Sequence, residues 1–286
     1  METYQTQLGT VFRQDCVAFL KGLQDNSVDL FFADPPFNLS KKYDSGAKDD
    51  LDAKDYLEWC RTWLTEGIRV LKPGGSFFIY NLPKWNFALG GFLSERLNFR
   101  HAISIKMSTR MPIPKRLYPT HYSLLYMSKG KPSRFKPDRI PMATCPNCYG
   151  DLVDYGGHKS KMNPKGVNLT DIWTDTPPVR HKSRKTRGAN ELPLKLVDRI
   201  LELASVEDDL ICDPFGGSGT TYVVAEEKKR RWVGCEIGPL DSIQSRFKAW
   251  KESEKPYFDA MRSKLNALHP PDVYENRIKQ GLWVLE

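Results

Sequence analysis

The stretch that decides the fold is Leu210-Ile211-Cys212-Asp213-Pro214-Phe215-Gly216-Gly217-Ser218-Gly219-Thr220-Thr221, with Arg231-Trp232-Val233-Gly234-Cys235-Glu236 beyond it. A short apolar strand enters a glycine-rich turn, Tyr222–Lys229 reads as a helix, and a second strand delivers an acid. Gly216, Gly217 and Gly219 let backbone approach a ligand closely, and the start of the helix offers N–H groups that no earlier turn uses. Glu236, about twenty residues beyond the turn, is placed to accept hydrogen bonds from ribose hydroxyls. This pattern describes a nucleoside-type cofactor at the carboxyl edge of a parallel sheet. No Gly-Lys-Ser/Thr follows the glycines, so no lysine is set to reach a phosphate and a P-loop is disfavoured. The glycines alone would equally suit a plain strand–helix turn; Glu236 tips the balance.

Working outward, Ser27–Ala33 (SVDLFFA) is an apolar run that stops at Asp34-Pro35-Pro36-Phe37. Two prolines cannot extend a central strand, so the strand ends there and presents Asp34 at its carboxyl edge. Such a turn suits the alkylation of an exocyclic amino group on a base. That nitrogen is a poor nucleophile because its lone pair is delocalised into the ring. A carboxylate and a carbonyl, each accepting one N–H, favour a pyramidal nitrogen and free the lone pair. Asp34 supplies the carboxylate and Pro35 the carbonyl, while neither proline has an N–H to compete. Phe37 adds an aromatic face for an extruded base, and Asp34 is also a candidate to take the departing proton. Taken alone, Asp-Pro-Pro is an ordinary strand-ending loop.

The remaining elements follow the same alternation. Asp55–Leu71 has helical apolar spacing and is closed by Lys72-Pro73-Gly74-Gly75. Ser76–Tyr80 and His121–Met127 read as strands, and Leu192–Ala204 as an amphipathic helix. Strands alternating with helices imply an α/β fold with a largely parallel sheet. Trp59 and Trp63, one helical turn apart, are expected to pack, and His101 and His121 receive no role.

The chain has 286 residues, 40% of them hydrophobic, enough for one large domain or a core with one substantial insertion. No apolar run reaches the ~18–20 residues of a membrane span. The opening METYQTQLGTVFRQDC lacks the basic-then-apolar order of a secretion signal, so no membrane partner and a cytoplasmic location are expected. The net charge of +8 is concentrated: Lys129–Arg187 holds thirteen basic and five acidic side chains, and the remainder is neutral overall. This segment is rich in Pro, Gly, Tyr and Asn and reads as an irregular insertion. Its basic groups, interleaved with Tyr149, Tyr155, His158, Trp173 and His181, suit a polyanion with stackable bases, although a solvated loop fits the composition equally. Cys145-Pro146-Asn147-Cys148 has half a zinc-site spacing, with His158 and His181 as the remaining candidates. A lone pair of this kind reads as two thiols in a loop, and no metal is assigned. Cys16, Cys60, Cys212 and Cys235 read as buried small hydrophobes, so no covalent cysteine is indicated.

The order of these motifs resembles that of DNA amino-methyltransferases of the permuted β group, in which the catalytic motif precedes the cofactor motif. The matching stretches are Asp15-Cys16, Asn26–Leu30 running into Asp34–Leu39, Leu71–Ser76, His121–Phe135, Leu192–Leu203, Asp213–Thr221 and Gly234–Glu236. The resemblance implies a Rossmann-like, mostly parallel sheet with helices on both faces, in circularly permuted order, carrying the basic insertion. It divides the chain into a catalytic half (1–128), a target-recognition insertion (129–188), a cofactor half (189–250) and a C-terminal extension (251–286). It also implies S-adenosylmethionine as methyl donor. Phe215, Gly217, Ser218 and Gly219 would line its methionine portion, with Asp213 and Thr220 in the same motif. Glu236 would hold its ribose, and Asp15 with Cys16 would sit near its adenine. Asp34, Pro35 and Phe37 would handle a base flipped from double-stranded DNA. Asp before Pro-Pro is more similar to adenine-N6 than to cytosine-N4 enzymes, and Phe37 stands where Tyr is commoner; cytosine N4, methylation of RNA, and a non-enzymatic nucleic-acid-binding module are the alternatives. Gly188–Pro193 departs from the Gln-Lys-Pro signature of related chains, leaving its contacts to the cofactor undefined. A homodimer is a further option the resemblance carries, as is a role in restriction-modification.

Overall fold

The computed structural model describes residues 2–40, 49–107, 115, 117, 119–137, 139–140, 156–157, 167–176, 191–262, 275–276 and 278–281. In chain order the first half runs β1 (Thr3–Gln5), β2 (Gly9–Arg13), α1 (Cys16–Lys21), β3 (Val28–Ala33), α2 (Ala53–Val70), β4 (Leu71–Asn81), α3 (Pro83–Ser94), β5 (Asn98–Lys106) and β6 (His121–Ser128). Then follow β7 (Arg139–Ile140), β8 (Val167–Asn168), β9 (Ile172–Trp173), α4 (Leu194–Ala204), β10 (Leu210–Asp213), α5 (Thr220–Glu227), β11 (Arg231–Glu236) and α6 (Asp241–Ala249). A π-helical turn, Trp250–Glu254, leads into α7 (Lys255–Arg262). Two compact units divide the chain, one of residues 1–135 and 171–255, the other of 136–170 and 256–286. The second contains the short antiparallel pair β7–β8, with Arg139 opposite Asn168.

The first unit is built on a nine-stranded sheet in the order β1-β2-β11-β10-β3-β4-β6-β5-β9. Its central strands β2, β11, β10, β3 and β4 are mutually parallel, whereas β6 runs antiparallel to both β4 and β5. From β10 the chain crosses through α5 to β11 on one side; from β3 it crosses through α2 to β4 on the other. The gap between β10 and β3 is therefore a topological switch point, where the two crossovers part and leave a crevice beyond the strand ends. Motifs from distant parts of the sequence meet there, which is the permuted order in three dimensions.

Each central strand is covered on both faces, so the alternation of its side chains sorts two cores. Phe31, Ala33, Phe77, Ile79, Cys212 and Cys235 form one cluster with Phe19 and Leu20 of α1, Trp63 and Leu64 of α2, and Leu89 and Leu93 of α3. On the other face Trp232 stacks on Tyr222 of α5, ring centroids 4.7 Å apart. Strand β4 starts directly at the end of α2, earlier than its apolar run suggests. Val28 pairs with Leu71 and Leu30 with Ser76, so Lys72–Gly75 is accommodated as a bulge, with Gly74 at φ +82°.

Strand β9 lies within the segment read as insertion, yet it pairs in parallel with Ser104 and Ile105 at the edge of the core sheet. This corrects the reading of Trp173 as a ring for nucleic-acid stacking. Trp173 is 2% exposed, with the guanidinium of Arg199 5.0 Å from its ring centroid. Arg199 in turn donates both terminal nitrogens to Asp175, at 2.8 and 2.9 Å. Burial alone would raise the Asp175 carboxyl, but Arg199 and Lys195 hold it well below the usual carboxylate range. Among the described residues no helix is long and apolar enough to cross a membrane.

Candidate functional site

Four parallel strands end at one edge of the sheet and bring the sequence motifs together. Strand β3 pairs with β10 through Leu30–Ile211 and Phe31–Cys212, so Asp34 and Phe215 each follow three residues beyond the last pair. Strand β11 pairs with β10 as far as Asp213–Gly234, and β2 pairs with β11 as far as Arg13–Glu236. Asp15, Asp34, Phe215, Gly217 and Glu236 thus share the carboxyl edge, and all five are at least partly exposed there.

The glycine-rich turn is shaped by backbone that only glycine adopts cheaply. Gly217 and Gly219 have φ of +56° and +80°, and Gly219 is the N-cap of α5. Glu236 braces this turn: its Oε2 accepts from Gly217 N at 2.8 Å and its Oε1 from Gly238 N at 3.0 Å. A partly exposed carboxylate fixed by two backbone donors retains lone pairs for the two hydroxyls of a ribose. Asp213 is enclosed and accepts from Phe215 N at 2.9 Å; burial pushes its carboxyl up to about 7. Thr220 is buried at the first turn of α5. Phe215 packs edge-on against Trp63 and Trp59, at centroid distances of 5.2 and 5.9 Å, so those tryptophans pack as expected and set one wall of the turn.

Asp15 caps α1, its Oδ1 accepting from Val17 N at 2.9 Å and Ala18 N at 3.1 Å. The chain just before it is tied to the acid strand by Gln14 N donating to Glu236 O at 3.0 Å. Cys16 is buried in the core cluster, and burial pushes its thiol up to about 12. Cys60 shares that fate, and Cys212 and Cys235 are buried as well, so all four thiols lack the thiolate character of a nucleophile.

Beyond Asp34, the loop is anchored at several of its backbone groups. Tyr56 Oη of α2 donates to Pro36 O at 2.7 Å, and Trp85 Nε1 of α3 donates to Phe37 O at 2.8 Å. Buried Asp49 accepts from Asn38 N at 2.6 Å and Leu39 N at 3.0 Å, and Asn38 exchanges two hydrogen bonds with the Leu51 backbone. Phe37 is 9% exposed and packs against Tyr80 and Tyr122, at centroid distances of 5.9 and 5.5 Å. The aromatic face expected from Phe37 alone is thus a three-ring wall.

A buried charge cluster lies behind the glycine-rich turn. Arg246 of α6, 3% exposed, donates to Ser218 Oγ at 2.9 Å and to Glu191 Oε2 at 3.2 Å. Its Nε lies 3.2 Å from Glu254 Oε2, a charge contact without hydrogen-bond alignment. Glu191 belongs to the stretch that departs from the Gln-Lys-Pro signature, and it touches the cofactor turn through Arg246. Neither Arg246 nor the loop anchors Tyr56, Asn81 and Trp85 stands in a motif; for Arg246 a polar residue at a core-facing helix position is the only signal.

Cys145, Cys148, His158 and His181 lie outside the described residues, as do Tyr149, Tyr155 and most of the basic side chains between 129 and 187. Among the described residues no cluster of His, Cys, Asp and Glu is arranged to hold a metal.

The comparisons with known proteins agree with this geometry. Residues 28–241 match a family model described as DNA methylase, of the N6 and N4 type. The type II methyltransferase M.BamHI of Bacillus amyloliquefaciens is 49% identical over 282 residues, 98% of this chain and 66% of that protein. The chain therefore spans about two thirds of that relative's length. The type II methyltransferase M.HpaI of Haemophilus parainfluenzae is 30% identical over 226 residues, covering 78% of this chain and 68% of the other. Among solved structures, PvuII DNA methyltransferase (cytosine-N4-specific) superposes with a TM-score of 0.63 at 20% identity, covering 92% of this chain and 94% of that one. A complex of M1.HpyAVI with SAM gives 0.56 at 18% identity, covering 85% and 99%. The switch-point crevice, the two motifs that meet at it and a family match over most of the sequence lead to one assignment: this chain belongs to the N6/N4 family of DNA methylases.

Proposed function

We propose that this protein is a type II DNA methyltransferase that uses S-adenosylmethionine to methylate the exocyclic amino nitrogen of a base flipped out of double-stranded DNA. The observation that carries the reading is the meeting of Asp34 with the Phe215–Gly219 turn across adjacent parallel strands. Glu236 is the acceptor for the cofactor ribose, and the half-exposed Phe215, with Gly217, Ser218 and Gly219, lines its methionine end. Asp15 and Cys16 border the adenine region through the chain beside Glu236. Asp213 and Thr220 serve by holding the turn from within. When bound, the cofactor supplies an electrophilic methyl group on a sulfonium.

The chain's own residues prepare the nucleophile. Asp34 accepts one N–H of the target amino group and the Pro35 carbonyl accepts the other, which draws the nitrogen lone pair out of ring conjugation. Asp34 then takes the proton or passes it to water. Phe37, supported by Tyr80 and Tyr122, gives the extruded base a face to stack on. The basic insertion between 129 and 188 holds the phosphate backbone and reads the target, so DNA affinity falls steeply with salt. This reading retains the division into catalytic half, insertion, cofactor half and C-terminal extension.

Asp before Pro-Pro favours adenine N6 as the acceptor. Cytosine N4 is the second reading, supported by the cytosine-N4 specificity of PvuII DNA methyltransferase, whose fold this chain shares. The deciding experiment transfers a tritiated methyl group to unmethylated mixed-sequence DNA and digests the product to nucleosides. Label co-migrating with N6-methyldeoxyadenosine supports the first reading, and label in N4-methyldeoxycytidine the second. Label in 5-methyldeoxycytidine, or none in DNA, overturns both. A homodimer is tested separately by sedimentation equilibrium.

A further inference from the structure

We propose that Tyr56 and Trp85 are positioning residues that sort the carbonyls of the catalytic turn, occupying those of Pro36 and Phe37 so that the Pro35 carbonyl is left to face the target amino group. This rests on the reading of Asp34 and Pro35 given above and adds a function for two buried side chains on α2 and α3.

Three successive carbonyls, of Pro35, Pro36 and Phe37, emerge from the turn, and a flexible loop could offer any of them. Two are taken from behind. The Tyr56 hydroxyl donates to Pro36 O at 2.7 Å and the Trp85 indole to Phe37 O at 2.8 Å. Among the described residues no hydrogen bond reaches Pro35 O. Both donors are almost fully enclosed, at 2% and 6% exposure, and their rings pack with centroids 4.6 Å apart. Neither can turn away without leaving a buried polar group unpaired.

The direction of the Tyr56 proton is set as well. Asn81, fully buried at the end of β4, donates its Nδ2 to Tyr56 Oη at 2.9 Å. The Asn81 amide is oriented by its own Oδ1, which accepts from Leu82 N at 2.7 Å. With a donor already aimed at one side of its oxygen, the hydroxyl keeps its single proton for an acceptor, and Pro36 O lies at 2.7 Å. The far side of the loop is fixed by Asp49 on the Asn38 and Leu39 amides. The turn is held from both ends by side chains packed behind it, as a preorganised site requires.

The test uses the full-length protein and its Tyr56→Phe and Trp85→Phe variants. Each keeps a ring in the core and removes the donor to a loop carbonyl. Single-turnover methyl transfer is measured with enzyme in excess over unmethylated, mixed-sequence DNA made by polymerase copying. Cofactor affinity is read by calorimetry, and Asp34→Ala serves as control. A misplacement of less than about 1 Å in an acceptor costs up to ~100-fold in rate. Each variant should therefore transfer methyl groups about 10–100-fold more slowly, with the cofactor dissociation constant within about threefold of wild type. A purely structural role would instead weaken cofactor binding as much as it slows transfer, and that result overturns the proposal. So does a wild-type rate in both variants while Asp34→Ala is inactive, an outcome that leaves the proposed function standing. Absence of transfer by the wild-type protein refutes the proposed function itself. If Tyr56→Phe does not fold, Trp85→Phe alone carries the same decision.

Discussion

Replacing Arg246 by Met removes a buried cation that contacts two carboxylates, those of Glu191 and Glu254. Glu191 has a side chain 0% exposed and Glu254 one 19% exposed, and burial already pushes the Glu254 carboxyl above its usual range. Breaking a buried pair by deleting one partner costs about 3–5 kcal/mol, because the remaining charge is left uncompensated. Arg246→Met should lower unfolding free energy by that amount in urea titrations. Adding Glu191→Gln, which deletes the charge that faced Arg246, should return about half of it through a coupling of at least ~2 kcal/mol. The cofactor turn also loses an anchor, since Ser218 Oγ accepts from Arg246 at 2.9 Å. Losing about 1.4 kcal/mol of preorganisation weakens S-adenosylmethionine binding tenfold by calorimetry. A stability loss below about 1 kcal/mol would refute the buried-pair argument. An unchanged cofactor dissociation constant would refute the link from Arg246 to the turn.

Two other substitutions probe the same edge. Glu236→Ala removes the proposed ribose acceptor and the brace on Gly217 N, and should weaken cofactor binding about 10–100-fold, a loss of about 1.4–2.8 kcal/mol; an unchanged affinity would remove Glu236 from the site. Asp213 has its carboxyl raised to about 7 by burial, against about 3.9 in an unfolded chain, so the folded state binds the extra proton between those values. That contribution to stability is present at low pH and is lost as pH rises through about 7. Asp213→Asn keeps the acceptor for Phe215 N and abolishes the titration. Its stability relative to wild type should therefore improve from pH 5 to pH 8, and a difference that does not change with pH would contradict the assignment.

The central sheet and the cofactor turn were legible because short-range patterns specify them. The apolar run before Asp34, the helical spacing from Asp55 and the Asp213–Glu236 succession each fall inside one or two elements, and each formed within a few residues of its expected place. Elements with weak local patterns were not legible. Helix α1 has six residues, too few for a periodicity. Helix α3 carries Gly90 and Gly91 in its middle and leaves Phe87 89% exposed, which blurs its apolar face. Strand β9 is two residues long and joins the sheet only through β5. The anchors of the catalytic loop were hidden for another reason. Nothing local distinguishes Tyr56 and Trp85 from other aromatics, and only the sheet order places their polar atoms under Pro36 and Phe37. Arg246 and Glu191 are 55 residues apart, and a lone charge on a helix normally reads as surface.

The most direct test of the account is a paired measurement on Asp34→Ala: methyl transfer to DNA in a single turnover, and cofactor affinity by calorimetry on the same preparation. Transfer should fall by at least about 1,000-fold, combining lost acid–base chemistry with lost orientation, while the dissociation constant stays within about threefold. Transfer at the wild-type rate with Asp34 absent would contradict the account.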